Sequence, residues 1–316
     1  SSVAYAIEAM LLVLAPVLGL SAVHYLGYIT LPIILLFLVL AFSYSQIIAN
    51  YPNGGGAYIV SSENIGRGSS MVAASALIID YVMTVAVSLS AATAALISAF
   101  PELADYRLLF ALLFLCIITL LNLRGMKESS KLFGAPTYVF IIIMLVLITT
   151  GFVRLITGNL PPVHYSETIQ PVAGGAGTIS MFLLLRAFSS GCSALTGVEA
   201  VSNAVPSFRE PSQRNAKRVL FILVGIIITI LGGSVLLVTS LNIIPLEGKT
   251  VISQLGMAVF GQGPMFYILQ FATSLILLLA ANTAYNGLPT LLAILAEDGF
   301  VPRQFMHRGT RPVSYT

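Results

Sequence analysis

Charge is what this chain has least of. Of its 316 residues, 9% are Asp, Glu, Lys or Arg and 57% are hydrophobic. Soluble domains carry about 25% charged residues. A chain this poor in charge cannot cover a water-facing surface, so lipid has to be the solvent for much of it. Cysteine is scarce too. Cys116 and Cys192 lie in apolar stretches without CxxC spacing and read as buried thiols, not as metal ligands. His24, His164 and His307 are far apart and define no metal site. Gly54-Gly55-Gly56 lacks the GK[ST] that would make it a phosphate loop. No nucleophile–base pair stands out, so an enzyme is not expected. Neither a cofactor nor a nucleic-acid partner is expected. No Met opens the chain and no basic stretch precedes its apolar start, unlike a signal peptide. Ser1 reads as a cut edge inside a helix.

What the chain has instead is long apolar runs. Eight stand out, at about 3–23, 27–49, 71–100, 108–123, 133–156, 178–206, 219–243 and 265–295. Each is long enough, or nearly so, to cross a hydrocarbon core of roughly 30 Å as a helix. A helix satisfies its own backbone hydrogen bonds in lipid, which an open sheet cannot do. The expected class is therefore an all-α integral membrane protein.

The basic residues sort by loop. Arg67 follows the second run, and Arg124, Lys127 and Lys131 follow the fourth. Arg209, Arg214, Lys217 and Arg218 follow the sixth, and Arg303, Arg308 and Arg311 the eighth. Those eleven face three on the other side, Arg107, Arg154 and Lys249. By the positive-inside rule the eleven, and the start of the first run, are cytoplasmic.

The sixth run is interrupted. Between Arg186 and Glu199 it carries two Gly, three Ser and a Thr. These residues weaken a helix and can free backbone groups. Such a break at mid-membrane marks a transporter site, or else close packing through small residues. Ionisable residues inside spans call for a reason. Four qualify: Glu8, Asp80, Arg186 and Glu199. Glu8 fits a pathway residue or a structural hydrogen bond equally, and Arg186 can snorkel to the outer face. Asp80, Tyr81, Thr84 and Ser88 fall on one helical stripe by i+3, i+4 and i+7 spacing. Thr196 and Glu199, at i and i+3, share a face of the sixth run. Hydroxyls, carbonyls and one or two carboxylates can replace the hydration shell of a hard monovalent cation. A carboxylate in low dielectric is also a candidate proton carrier. The bland readings are a polar seam between helices for the stripe, and a capping or gating role for Glu199.

Tyr51-Pro-Asn-Gly-Gly-Gly-Ala-Tyr58 resembles the loop after the second helix of the amino acid–polyamine–organocation (APC) superfamily. Thr196-Gly-Val-Glu199 and the stretch from Asn203 to Lys217 resemble its sixth helix and the basic loop behind it. The likeness covers almost the whole chain. More narrowly, Ser1-Ser-Val-Ala-Tyr5, Asp80-Tyr81 and Ala296-Glu-Asp-Gly-Phe-Val-Pro-Arg-Gln-Phe305 resemble the KUP/KimA branch of bacterial potassium importers. Val198 stands where many amino acid permeases have an aromatic residue, and Asp80-Tyr81 is the more discriminating pair.

The resemblance implies a LeuT-like inverted-repeat transporter fold, here truncated to about eight transmembrane helices. Residues 1–157 would be the first repeat, with its first helix partial, and 158–316 a partial second repeat. Helices nine to twelve and a cytosolic C-terminal domain would lie outside this sequence. The resemblance further implies potassium/proton symport in a bacterial plasma membrane, with an amino acid permease as the alternative. Carried over by position, potassium would be lined by Tyr5, Asp80, Tyr81, Thr84, Ser88, Thr196 and Glu199. Asp80 and Glu199 are the proton-coupling candidates. A homodimer, and control by cyclic di-AMP through the C-terminal domain, are implied for the full-length protein.

Overall fold

The structure, a computed structural model, describes residues 2–51, 56–123, 130–160, 179–246 and 248–306, without the side chains of 130–133 and 207. The glycines Gly54 and Gly55, the basic residues Arg124, Lys127, Arg308 and Arg311, and the expected start of the sixth run lie outside the described residues. Among those described, structure is helical apart from an isolated bridge between Leu246 and Lys249. In chain order the helices are α1 Val3–Leu18, α2 Ala22–Asn50, α3 Ala57–Asn64 and α4 Arg67–Ala99. There follow α5 Arg107–Leu123, α6 Ser130–Ile156, α7 Met181–Gly191 and α8 Ala200–Asn203. The last three are α9 Ser212–Leu241, α10 Val251–Phe260 and α11 Pro264–Glu297.

Seven helical stretches are long and apolar enough to cross a membrane. The first, Val3–Asn50, contains two helices, because a 3-10 turn at Gly19–Ser21 separates α1 from α2. Gly19 sits there at φ +57°, a conformation that favours glycine. The eight apolar runs thus correspond to α1, α2, α4, α5, α6, the α7–α8 pair, α9 and α11. The short helices α3 and α10 went unforeseen, since eight or ten residues carry too little periodicity to stand out as spans. α5 fully buries a single residue, Ile118, packs Phe114 and Leu115 partly against the core, and shows most of its other apolar side chains outward, as a helix at the lipid boundary does. Cys116 lies on this surface and is exposed, not buried.

Two sets of helices emerge from the packing. α1, α2, α7 and α9 pack on one another, and α3, α4, α5 and α11 form the other set. The sets barely touch through their backbones; α6 and α10 join them. α4 and α11 run antiparallel over their full length. Arg67 stacks on Phe300 near one end (4.7 Å to the ring centroid), and Phe100 meets Tyr267 and Phe271 at the other. α2 and α9 are antiparallel as well: Gln213 Nε2 donates to the Ala49 carbonyl at one end, and Thr239 Oγ1 to that of Val23 at the other.

These contacts gather Arg67, Arg214, Lys217, Arg218 and Arg303 at one end of the molecule. Lys249 and Arg107 fall at the opposite end, beside the α4 C-terminus. The loop asymmetry is therefore an asymmetry of the folded protein. At the basic end Tyr58 of α3 is buried and donates to Asp298 Oδ2 (2.5 Å), tying that loop to the end of α11. Burial, reinforced by this bond, pushes the Tyr58 phenol up to about 12, so it stays a donor through the physiological range.

Candidate substrate site

The sixth run breaks where its sequence is weakest. Ser180 caps α7 by accepting from the Leu183 N–H (3.1 Å), and α7 ends at Gly191. A Cβ on Gly191 would lie 2.6 Å from Ile33 Cδ1 and 2.7 Å from the Met10 sulfur, so α7 closes on α1 and α2 there only with glycine. A 3-10 turn, Cys192–Leu195, follows. Thr196 to Glu199 then run without regular helix, with Gly197 at φ +89°, before the single turn of α8. Ser2, at the start of α1, donates its hydroxyl to the Ala194 carbonyl (2.9 Å). The α1 N-terminus is thereby docked on the unwound segment.

Beside this break lies a cavity of about 820 Å³. Tyr5 comes from α1; Asp80, Tyr81 and Thr84 come from α4; Thr196 and Glu199 come from the break. α11 closes it with Ala284, Gly287, Thr290 and Leu291. Six of the seven candidate residues therefore share one wall-to-wall space. Ser88 does not line it. A rise of 1.5 Å per residue carries Ser88 about 12 Å beyond Asp80 along the axis. There it is fully buried, and its hydroxyl has no partner among the described residues.

Tyr81 donates its hydroxyl to Glu199 Oε1 (3.1 Å), linking the two helix sets across 118 residues of sequence. The Glu199 side chain makes no capping bond to α8, which leaves the capping reading without support. The Glu199 main-chain carbonyl does that work, accepting from the Ser202 N–H (2.9 Å) and hydroxyl (2.7 Å). Tyr5 is hydrogen-bonded to the Thr196 side chain, which in turn donates to the Ser193 carbonyl. Asp80 has no hydrogen-bond partner among the described residues, and it interacts electrostatically with Glu199 and Tyr5. The Tyr81 ring needs Gly287 beside it, since a Cβ there would come within 2.9 Å of the ring.

Several neighbours were not apparent from the sequence. Tyr44 of α2 lies within electrostatic reach of Glu199, and Ser2 and Asn203 line the cavity. Glu8, outside the cavity, accepts from the Val251 N–H at the start of α10 and also feels Arg107. The preceding amide, Thr250 N–H, donates to Ser98 Oγ of α4 (3.0 Å). Arg186 is exposed on α7. No group of three His, Cys, Asp or Glu able to hold a metal occurs among the described residues.

Apolar spans packed around a broken helix, with carboxylates and hydroxyls facing a shared space, define a multi-pass membrane protein with the architecture transporters use for their sites. The family model described as amino acid permease matches residues 7–315, and the chain belongs to that family. It is 46% identical over 313 residues to the potassium transporter KimA of Bacillus subtilis (strain 168), an alignment covering 98% of this chain and 51% of KimA. It is 27% identical over 307 residues to an uncharacterized transporter of Legionella pneumophila, covering 91% of this chain and 62% of that protein. The chain spans about half to three-fifths of the length of these relatives.

Proposed function

We propose that this chain forms the substrate-binding part of a potassium importer that takes up potassium with protons by alternating access. The observation that carries the reading is one cavity holding Asp80 and Glu199 among the oxygens of Tyr5, Tyr81, Thr84 and Thr196. A desolvated monovalent cation needs several oxygen ligands and about one negative charge, and Asp80 supplies a carboxylate no hydrogen bond occupies. Ser88, buried away from the cavity, is left out of this set. Glu199, held by Tyr81 across the two helix sets, is the proton-coupling partner of Asp80. Binding or loss of a proton there would change the bond between the sets. Similarity to KimA over nearly the whole chain supports potassium as substrate.

In this reading the protein lies in a bacterial plasma membrane with its basic end and its N-terminus cytoplasmic. Residues 1–157 and 158–316 are inverted repeats whose first helices, α1 and the broken α7–α8, meet at the cavity. The set of α1, α2, α7 and α9 rocks against α4 and α11. The whole protein is a homodimer that cyclic di-AMP controls through a cytosolic domain; this last step rests on the resemblance alone.

The second reading, an amino acid permease, draws on the family description and on the size of the cavity, which exceeds what one ion fills. In it the free N–H groups of the break would hold a substrate carboxylate. The test is tracer uptake by the full-length protein in proteoliposomes under an inward proton gradient, with rubidium beside labelled amino acids. Rubidium accumulation that potassium competes away supports the ion reading. Amino acid accumulation without rubidium overturns it.

A further inference from the structure

We propose that the basic end of α9 carries a binding site for an anionic glycerophospholipid, independent of the substrate cavity. Arg214, Lys217 and Arg218 stand on one stripe of α9 with Phe221 and Ile222 directly above them at i+3 and i+4. These five residues line a shallow recess of about 510 Å³. None of the three cations pairs with a carboxylate among the described residues. Glu210, the acid closest in sequence, turns to the Ser212 N–H instead (3.3 Å). Three cations on one face without counter-charge repel one another and draw in an anion.

The chemistry of the recess changes along the helix, and that identifies the anion. Its upper wall is apolar and outward-facing: Phe221 is 46% exposed and Ile222 62%. Phe42 of α2, 66% exposed, meets Phe221 edge to face with ring centroids 6.3 Å apart and extends the apolar wall sideways. A soluble anion would use only the cations. A phospholipid uses both parts, its phosphodiester against Arg214, Lys217 and Arg218 and an acyl chain along Phe221, Ile222 and Phe42. The level also fits. The cations occupy the first two turns of a 30-residue helix whose remainder is apolar, which is where lipid headgroups meet a spanning helix. The Gln213 bond to the Ala49 carbonyl (3.4 Å) ties this end of α9 to the end of α2.

The test is native mass spectrometry of the purified full-length protein with phosphatidylglycerol or phosphatidylcholine of equal chain length. The parent should retain phosphatidylglycerol preferentially. R214Q/K217Q/R218Q should lower that retention by about tenfold or more and leave phosphatidylcholine unchanged. F42A/F221A keeps every charge, and with it the charge bias that orients the chain. It should weaken long-chain phosphatidylglycerol several-fold while sparing the dihexanoyl form. Retention equal to the parent in both variants overturns the proposal. So does displacement of phosphatidylglycerol by millimolar inorganic phosphate that depends on the same three cations, because the recess would then take a soluble anion. If the triple variant fails to fold, the phenylalanine pair decides the matter.

Discussion

The two helix sets solve the problem of burial in different ways. Around α1, α2 and α9 the interior is filled by large aliphatic and aromatic side chains; Ile7, Met10, Leu11, Leu14, Leu26, Ile33, Phe37, Leu220 and Leu231 are each below 2% exposure. α4 and α11 meet through large residues such as Leu89, Leu291 and Leu295 interspersed with many small ones. α4 buries Ser70, Ala74, Ala92, Thr93, Ala95 and Ser98, and α11 buries Ala272, Thr273, Ser274, Ala281 and Ala284. Small residues let two helix backbones approach closely in a membrane and add short polar ties, such as the Ser274 hydroxyl on the Ala92 carbonyl (3.1 Å). Each set is well packed within itself. Between them an apolar core joins Ala92, Leu269 and Ile276 to α1, α2 and α9, and beside it lies the cavity, where Tyr81 bonds Glu199 among carboxylates and hydroxyls. In the proposed alternating-access reading one set moves on the other, so damage inside a set should cost stability and damage at the cavity should cost transport.

Six substitutions in the full-length protein test that division, beginning with the largest effect. Asp80→Asn and Glu199→Gln are each expected to cut uptake roughly tenfold or more with normal expression, because an ion loses its carboxylate; normal tracer uptake in both would remove these residues from the site. Leu14→Ala, inside the first set, should cost about 2–5 kcal/mol of stability. A lowered melting temperature in detergent, with uptake per folded molecule unchanged, is the expected pattern, and the reverse pattern would dissolve the comparison. Tyr81→Phe removes the hydrogen bond between the sets, worth about 1.5–3 kcal/mol when the acceptor is charged. Uptake should weaken about tenfold, and the melting temperature should fall less than in Leu14→Ala. Gly287→Ala presses a methyl against the Tyr81 ring, a strain of about 1–3 kcal/mol. It should raise the half-saturation concentration several-fold, and a variant indistinguishable from the parent would show that the ring position is unimportant. Arg67→Ala loses only its stacking on Phe300, about 0.5–1 kcal/mol at an exposed site, and uptake should stay close to that of the parent.

Much of this was readable in the residues. The spans follow from apolar length, the asymmetry of the two ends from Lys and Arg, and the break from Gly and Ser in the sixth run. The stripe on the third run was legible because helical spacing is local. What failed to show was whatever depends on a partner helix. Ser88 shares the stripe of Asp80, yet where the stripe leaves the cavity depends on how α11 covers α4. Gly287 looks like any glycine until the Tyr81 ring is seen against it. Tyr44 and Ser2 reach the site from helices whose sequence gives no polar stripe. α3 and α10 lie too far from the length of a span to be noticed. The assignment of Glu8 was open between two roles, and the structure gives it a hydrogen bond to α10.

That bond has a neighbour. Two successive peptide N–H groups at the start of α10 are claimed by opposite sides, Thr250 by Ser98 of α4 and Val251 by Glu8 of α1. The Thr250–Val251 step is thus a buckle between the two sets at the end away from the basic loops. The two amides flank the Cα of one residue, Thr250, so the two straps can sit no farther apart than neighbouring residues allow. Any movement that parts the sets at that end must let go of one strap or the other. Which strap yields decides whether α10 departs with α1 or stays with α4.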